Sequence, residues 1–96
     1  MEFLKELKEL LLKIQRTYGN SRTEYINTIT NKIADDTTIT DVLLQSDLSI
    51  LGSDLGFYES DERDRDIELG YYGDERLIEI ITDAIKMIDE YLKTNH

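Results

Sequence analysis

The chain has no cysteine, no proline and no tryptophan, and its one histidine is the last residue, His96. Without cysteine there is no disulfide framework, no thiolate zinc site and no cysteine nucleophile. With the imidazole confined to the final position, neither a Ser-His pair nor a His-ligated metal is expected. Without proline, nothing breaks a helix from inside. No apolar run is long enough to span a bilayer. The first residues show no basic stretch leading into an apolar segment and a small-residue cleavage site, so the expectation is a cytoplasmic chain with no membrane role. Basic side chains are also scarce: 11 Lys and Arg face 21 Asp and Glu, a formal net charge of −10. That sign opposes direct contact with a nucleic-acid backbone or with anionic lipid, both of which select a basic footprint. Catalysis is poorly equipped, and the expectation is a non-enzyme without cofactor or metal.

Ninety-six residues, 40% of them hydrophobic, suffice for one domain with a modest core. The charge within it is uneven. Residues 1–48 carry a net −2 and residues 49–96 a net −8. Between Asp54 and Glu75, nine acids (Asp54, Glu59, Asp61, Glu62, Asp64, Asp66, Glu68, Asp74, Glu75) face only Arg63 and Arg65. Crowding of this kind repels itself and works against compact folding, so it asks for a purpose.

The hydrophobic period predicts an all-α, four-helix, bundle-like domain. Phe3, Leu7, Leu10, Leu11, Ile14 and Tyr18 recur at three- and four-residue steps, giving a first helix over about 2–18 that Gly19-Asn20 ends. Ser21-Arg22-Thr23-Glu24 has the capping-box pattern, and Tyr25, Ile26, Ile29 and Ile33 extend a second helix over about 22–35. The short link between them implies antiparallel neighbours. A third helix over about 39–52 begins near Thr38 or Thr40, with Leu44, Leu48, Leu51 and Leu55 as its stripe. Asp74 is the expected N-cap of a last helix over 74–93, whose broad apolar stripe from Leu77 to Leu92 implies more than one neighbour. Tyr18, Tyr25 and Tyr91 lie on apolar stripes and read as core. Thr94-Asn95-His96 reads as a frayed end.

Residues 53–73 differ in kind, with three glycines after Gly52, four aromatics (Phe57, Tyr58, Tyr71, Tyr72) and most of the acids. Ile67-Glu68-Leu69 reads as a short extended piece without a partner. A long connection in a small domain is functional or disordered, and disordered segments are poor in aromatics. Calcium is one reading: counted from Asp64, oxygen ligands fall at Asp66, Glu68 and Glu75 as in an EF-hand, but Leu69 stands where the loop needs glycine, and Gly70 comes one residue late. The favoured reading is a protein-binding surface. Its residues are Asp54, Phe57, Tyr58, Glu59, Asp61, Glu62, Asp64, Asp66, Glu68, Tyr71 and Tyr72, with aromatics as stiff anchors and carboxylates steering a basic partner. For each of the four aromatics, cover for the core is an equal alternative.

The stretch Gly52-Ser53-Asp54-Leu55-Gly56-Phe57-Tyr58-Glu59, followed by acids and an apolar helix, resembles bacterial toxin-immunity proteins. In the colicin-nuclease immunity proteins a comparable Ser-Asp-Leu and aromatic pair introduce a short helix that contacts the toxin. The run from Asp54 through Arg65 and Glu68 to Asp74-Glu75-Arg76-Leu77 is similar to the same four-helix family, and related proteins accompany contact-dependent growth inhibition. The likeness covers the C-terminal half. It implies an antitoxin-type protein that neutralises one cognate basic toxin, commonly a nuclease, with Asp54, Phe57 and Tyr58 in the contacting motif and Glu59, Asp61 and Glu62 around it. Gly56 departs from the pattern, which keeps an aliphatic residue there. A monomer is the expected state. An acidic nucleic-acid mimic, or another helical interaction module, is the alternative.

Overall fold

Helix α1 spans Glu2–Gln15, α2 Asn20–Asp35, α3 Val42–Leu55 and α4 Asp74–Thr94. They are seen in a computed structural model that describes residues 2–59 and 61–94. The expected fraying at Asn95 and His96 lies outside the described residues. No strand forms among those residues. An isolated parallel bridge pairs Tyr58 with Tyr72, and single 3-10 turns occupy Glu62–Asp64 and Ile67–Leu69.

The helices form a ring in which α1 packs on α2 and α4, and α3 packs on α2 and α4. Ion pairs fix the directions. Lys32 near the end of α2 reaches Glu6 near the start of α1 at 2.9 Å, and Arg22 joins Ile14 O at the end of α1 to Asp74 at the start of α4. Both pairs therefore run antiparallel. The fourth side closes in the same sense, since Tyr91 of α4 donates its hydroxyl to Asp47 of α3 at 3.4 Å. The core lies on the ring's axis. Leu4, Leu7, Leu11 and Ile14 of α1 are fully buried, as the i, i+3, i+4 spacing requires. Each such side chain contributes about 1.5–3 kcal/mol of burial free energy. Phe3 and Leu10 flank this stripe rather than sit in it. The stripe of Leu44, Leu48, Leu51 and Leu55 is buried, and α4 supplies Leu77, Ile81, Ala84 and Ile88. No helix among the described residues is long and apolar enough to cross a membrane.

Several boundaries differ from those the pattern predicts, each for a local reason. α1 stops at Gln15, so Tyr18 falls outside the helix and is 81% exposed rather than core. Gly19, at φ +62, takes a conformation that side chains resist and turns the chain. α2 then starts at Asn20 with no side-chain cap, so the expected capping box from Ser21 does not form. Arg22 N donates to Gly19 O at 3.0 Å and tightens the first turn instead. The third helix is capped by Asp41, whose carboxylate accepts from Leu44 N at 3.1 Å, rather than by Thr38 or Thr40. Asp36 accepts from the Thr38 hydroxyl and from Ile39 N, which folds the connection so that Ile39 enters the core. Gly52 does not end α3; the helix runs on until Leu55 is buried.

Candidate functional site

The connection from Gly56 to Gly73 closes the end of the bundle where α1 and α3 finish and α2 and α4 begin. Its two ends pair. Tyr72 N donates to Phe57 O at 3.0 Å and Glu59 N donates to Tyr72 O at 3.0 Å. Phe57 lies in the turn that continues from α3, with its N–H bonded to Asp54 O at 3.2 Å. Tyr58 and Tyr72 turn inward and pack against the core, while Phe57 and Tyr71 meet outside in an edge-to-face pair with centroids 5.3 Å apart. The Tyr72 hydroxyl donates to Asp54 O at the end of α3 (2.6 Å), and the Tyr58 hydroxyl donates to Asp74 Oδ1 at the start of α4 (2.6 Å). Two tyrosines thus fasten the connection to the helices it joins.

Two arginines complete the fastening. Arg22 is only 4% exposed. Its Nε donates to Thr17 O (2.7 Å) and Ile14 O (3.2 Å), and its Nη1 donates to Asp74 Oδ1 (2.7 Å). The Tyr18 ring lies over the guanidinium, 5.2 Å from centroid to Cζ. One side chain therefore satisfies the carbonyl end of α1 and ties it to α4. Asp74 is the first residue of α4, not its cap: Leu77 N bonds Gly73 O at 3.1 Å, and the Asp74 carboxylate is committed to Tyr58 and Arg22. Arg65 donates from Nε and Nη2 to Glu59 O at 3.1 and 3.0 Å. Its guanidinium lies flat on Gly73, where a Cβ would stand 2.5 Å from Cζ. A side chain there would require the flexible end of Arg65 to move aside.

These contacts set the ionisation of the site. The hydrogen bond from Tyr58, and then the Arg22 guanidinium, hold the Asp74 carboxyl below the usual range against the opposing effect of burial. Tyr58 is pushed up to about 12, first by burial and then by the Asp74 carboxylate. Tyr72 is raised as well, by burial and by the Asp54 charge. Asp61 is lowered by its hydrogen bonds from Arg63.

The eleven residues picked from the sequence divide into two groups. Tyr58 and Tyr72 are clamps. Glu59 accepts from Asp61 N, Asp61 caps the first 3-10 turn by accepting from Arg63 N, and Asp66 caps the second by accepting from Leu69 N. These three acids shape the loop. Glu62, Asp64 and Glu68 are exposed and, among the described residues, make no ion pair or side-chain hydrogen bond. Asp54 is exposed in the last turn of α3, where no basic residue offsets the helix dipole. Phe57 and Tyr71 form the outer aromatic pair. Among the described residues no three carboxylates gather as a metal site. The separate short helix implied for Asp54–Tyr58 is absent: Asp54 and Leu55 belong to α3, and Phe57 and Tyr58 have left helical backbone.

Sequence reasoning missed four contributors. Arg22 was hidden inside an apparent capping box, yet α2 has no acid in its first turn, an inversion of the usual dipole preference that marks this arginine. Arg65 was visible only as one of two basic residues among the acids, not as a fastener. Ile67 and Leu69, read as extended, sit on a 3-10 turn and are 79% and 67% exposed, so they add aliphatic surface among the acids. Comparison of the chain with protein-family models, curated proteins and solved structures gave no match.

Proposed function

We propose that this chain is an immunity-type inhibitor that binds and neutralises a basic bacterial toxin, a nuclease domain in the first instance. The observation that carries the reading is the capping connection. Its inner side is fastened by Tyr58, Tyr72, Arg22 and Arg65, while Glu62, Asp64, Glu68, Phe57, Ile67 and Leu69 are exposed and Tyr71 is half-buried against Phe57. Exposed aliphatic side chains inside a like-charged cluster do nothing for the fold of an isolated chain. They suit a partner that supplies apolar pockets and positive charge. A rigid backbone beneath them lowers the entropy cost of binding. Carboxylates around apolar anchors raise the association rate with a cationic surface and discriminate against neutral ones.

The test is co-expression with the product of the neighbouring reading frame, followed by nuclease assays with and without this chain. Stoichiometric loss of nuclease activity is expected. Reversing Glu62, Asp64 and Glu68 together to Lys is expected to slow association by about tenfold or more at low salt and to flatten its salt dependence. No complex with the neighbouring product would overturn the reading. Equal binding to unrelated basic proteins would replace it with nucleic-acid mimicry.

A further inference from the structure

Helix α3 has a second stripe besides the one it buries. Leu43, Asp47, Ile50 and Asp54 follow one another at i, i+4, i+7 and i+11, so they share a face turned away from the core. Ile50 is 58% exposed, and Leu43 is exposed as well. This face forms one wall of a groove of about 250 Å³ between α3 and α4. Leu51, Ile80 and Ala84 line its floor, Ile50 and Met87 its sides, and Asp47, Asp54 and Asp83 stand along it, with Arg76 the one cation in its lining. Arg76 is itself bonded to Glu79 at 2.9 Å.

We propose that this groove is a docking site for an amphipathic helix of a partner protein, with an aliphatic stripe flanked by Lys or Arg. Three physical points select that occupant. The walls are α-helices whose backbone groups bond internally, so an extended peptide gains no main-chain hydrogen bonds here, whereas a helix satisfies its own. The span from Asp47 to Asp54 along α3 is about 10 Å, two turns of a docked helix. Three carboxylates over an apolar floor complement a basic rim around aliphatic residues. A second copy of this chain is disfavoured, because a two-fold contact sets the same three carboxylates against themselves. The groove is also smaller than the usual enclosed ligand cavity of about 300 Å³ or more. It shares Asp54 with the surface proposed above but otherwise lies on α3 and α4 rather than on the capping connection.

The experiment is a titration of the isotope-labelled full chain, followed by amide NMR, with a synthetic Leu/Lys amphipathic helix of about three turns, and in parallel with its Glu-for-Lys twin. Shifts centred on Leu43, Ile50, Ile80, Ala84 and Met87 are expected with the Lys peptide alone. Ile50→Glu is expected to weaken binding by about tenfold or more with unchanged circular dichroism, and Asp83→Lys to weaken it with a loss of salt dependence. Absence of shifts, shifts confined to residues 56–73, or equal binding by the Glu twin would overturn the proposal. So would sedimentation showing a dimer that Ile50→Glu dissociates.

Discussion

Phe57 and Tyr71 differ from Tyr58 and Tyr72 by a single step along the chain, yet the two pairs do opposite things. Tyr58 and Tyr72 lie against the core with both hydroxyls bonded to helix ends; Phe57 and Tyr71 stack on each other outside. Tyr58 and Tyr72 are the bridged pair, whereas Phe57 lies in the turn that leaves α3 and Tyr71 precedes the bridge. The acids divide in the same way. Asp74, Asp61 and Asp66 are held by hydrogen bonds that shape the loop, whereas Glu62, Asp64 and Glu68 project without such bonds. A segment that looks uniformly acidic and aromatic is therefore two surfaces back to back, one that holds and one that offers.

The largest break in this division should come from Arg22→Met. The variant keeps side-chain bulk but leaves Thr17 O without its donor, while Ile14 O keeps Thr17 N and Oγ1, at a cost of about 2 kcal/mol in urea unfolding. Asp74 is 61% exposed and rehydrates, so most of that loss belongs to the Thr17 carbonyl. A loss below about 0.5 kcal/mol would show that the inner side is not held through this arginine.

Tyr58→Phe removes a hydrogen bond to a carboxylate and should cost about 1–2 kcal/mol at neutral pH. The effect has a defined pH window. The folded state raises the Tyr58 value from 10.0 to about 12, so the stabilisation is complete below pH 10 and is lost as pH rises through about 12. At the acid end the Asp74 value is lowered from 3.8, so its contribution is present above that pH and is lost as pH falls through the folded value. Unfolding curves of the wild type and Tyr58→Phe should therefore converge above pH 10. A constant gap would assign the alkaline loss to another group.

The smallest stability effect is expected for Phe57→Ala combined with Tyr71→Ala. It amounts to about 1 kcal/mol, the worth of an edge-to-face pair outside the core. In the complex, by contrast, the same pair of changes should raise the dissociation rate by about tenfold or more, read by surface-immobilised kinetics. A large loss of stability with unchanged dissociation would reverse the assignment of inner and outer sides.

Much of the fold was legible because helices announce themselves through local spacing. Leu44, Leu48, Leu51 and Leu55 are readable as a buried stripe from their steps of four, three and four alone. Caps were less legible. Thr38, Thr40 and Asp41 are all competent N-caps, and the choice of Asp41 follows from where Ile39 must enter the core. Tyr18 was misplaced because its spacing continues the α1 stripe, while the chain leaves the helix three residues earlier. For the candidate surface, composition marked the segment but could not say which members faced outward. Contacts such as Arg22 with Asp74 join residues 52 positions apart, and no local pattern encodes them.

From the amino-acid order alone follow four helices, an acid-rich segment before the last of them, and the absence of cysteine or imidazole chemistry within the domain. Those features depend on intrinsic spacing and side-chain type. Tertiary structure decided which tyrosines became fasteners, which carboxylates stayed exposed, and that the outer stripe of α3 joins α4 in a groove. Each of these depends on what lies across a gap in space, which only the assembled helices define.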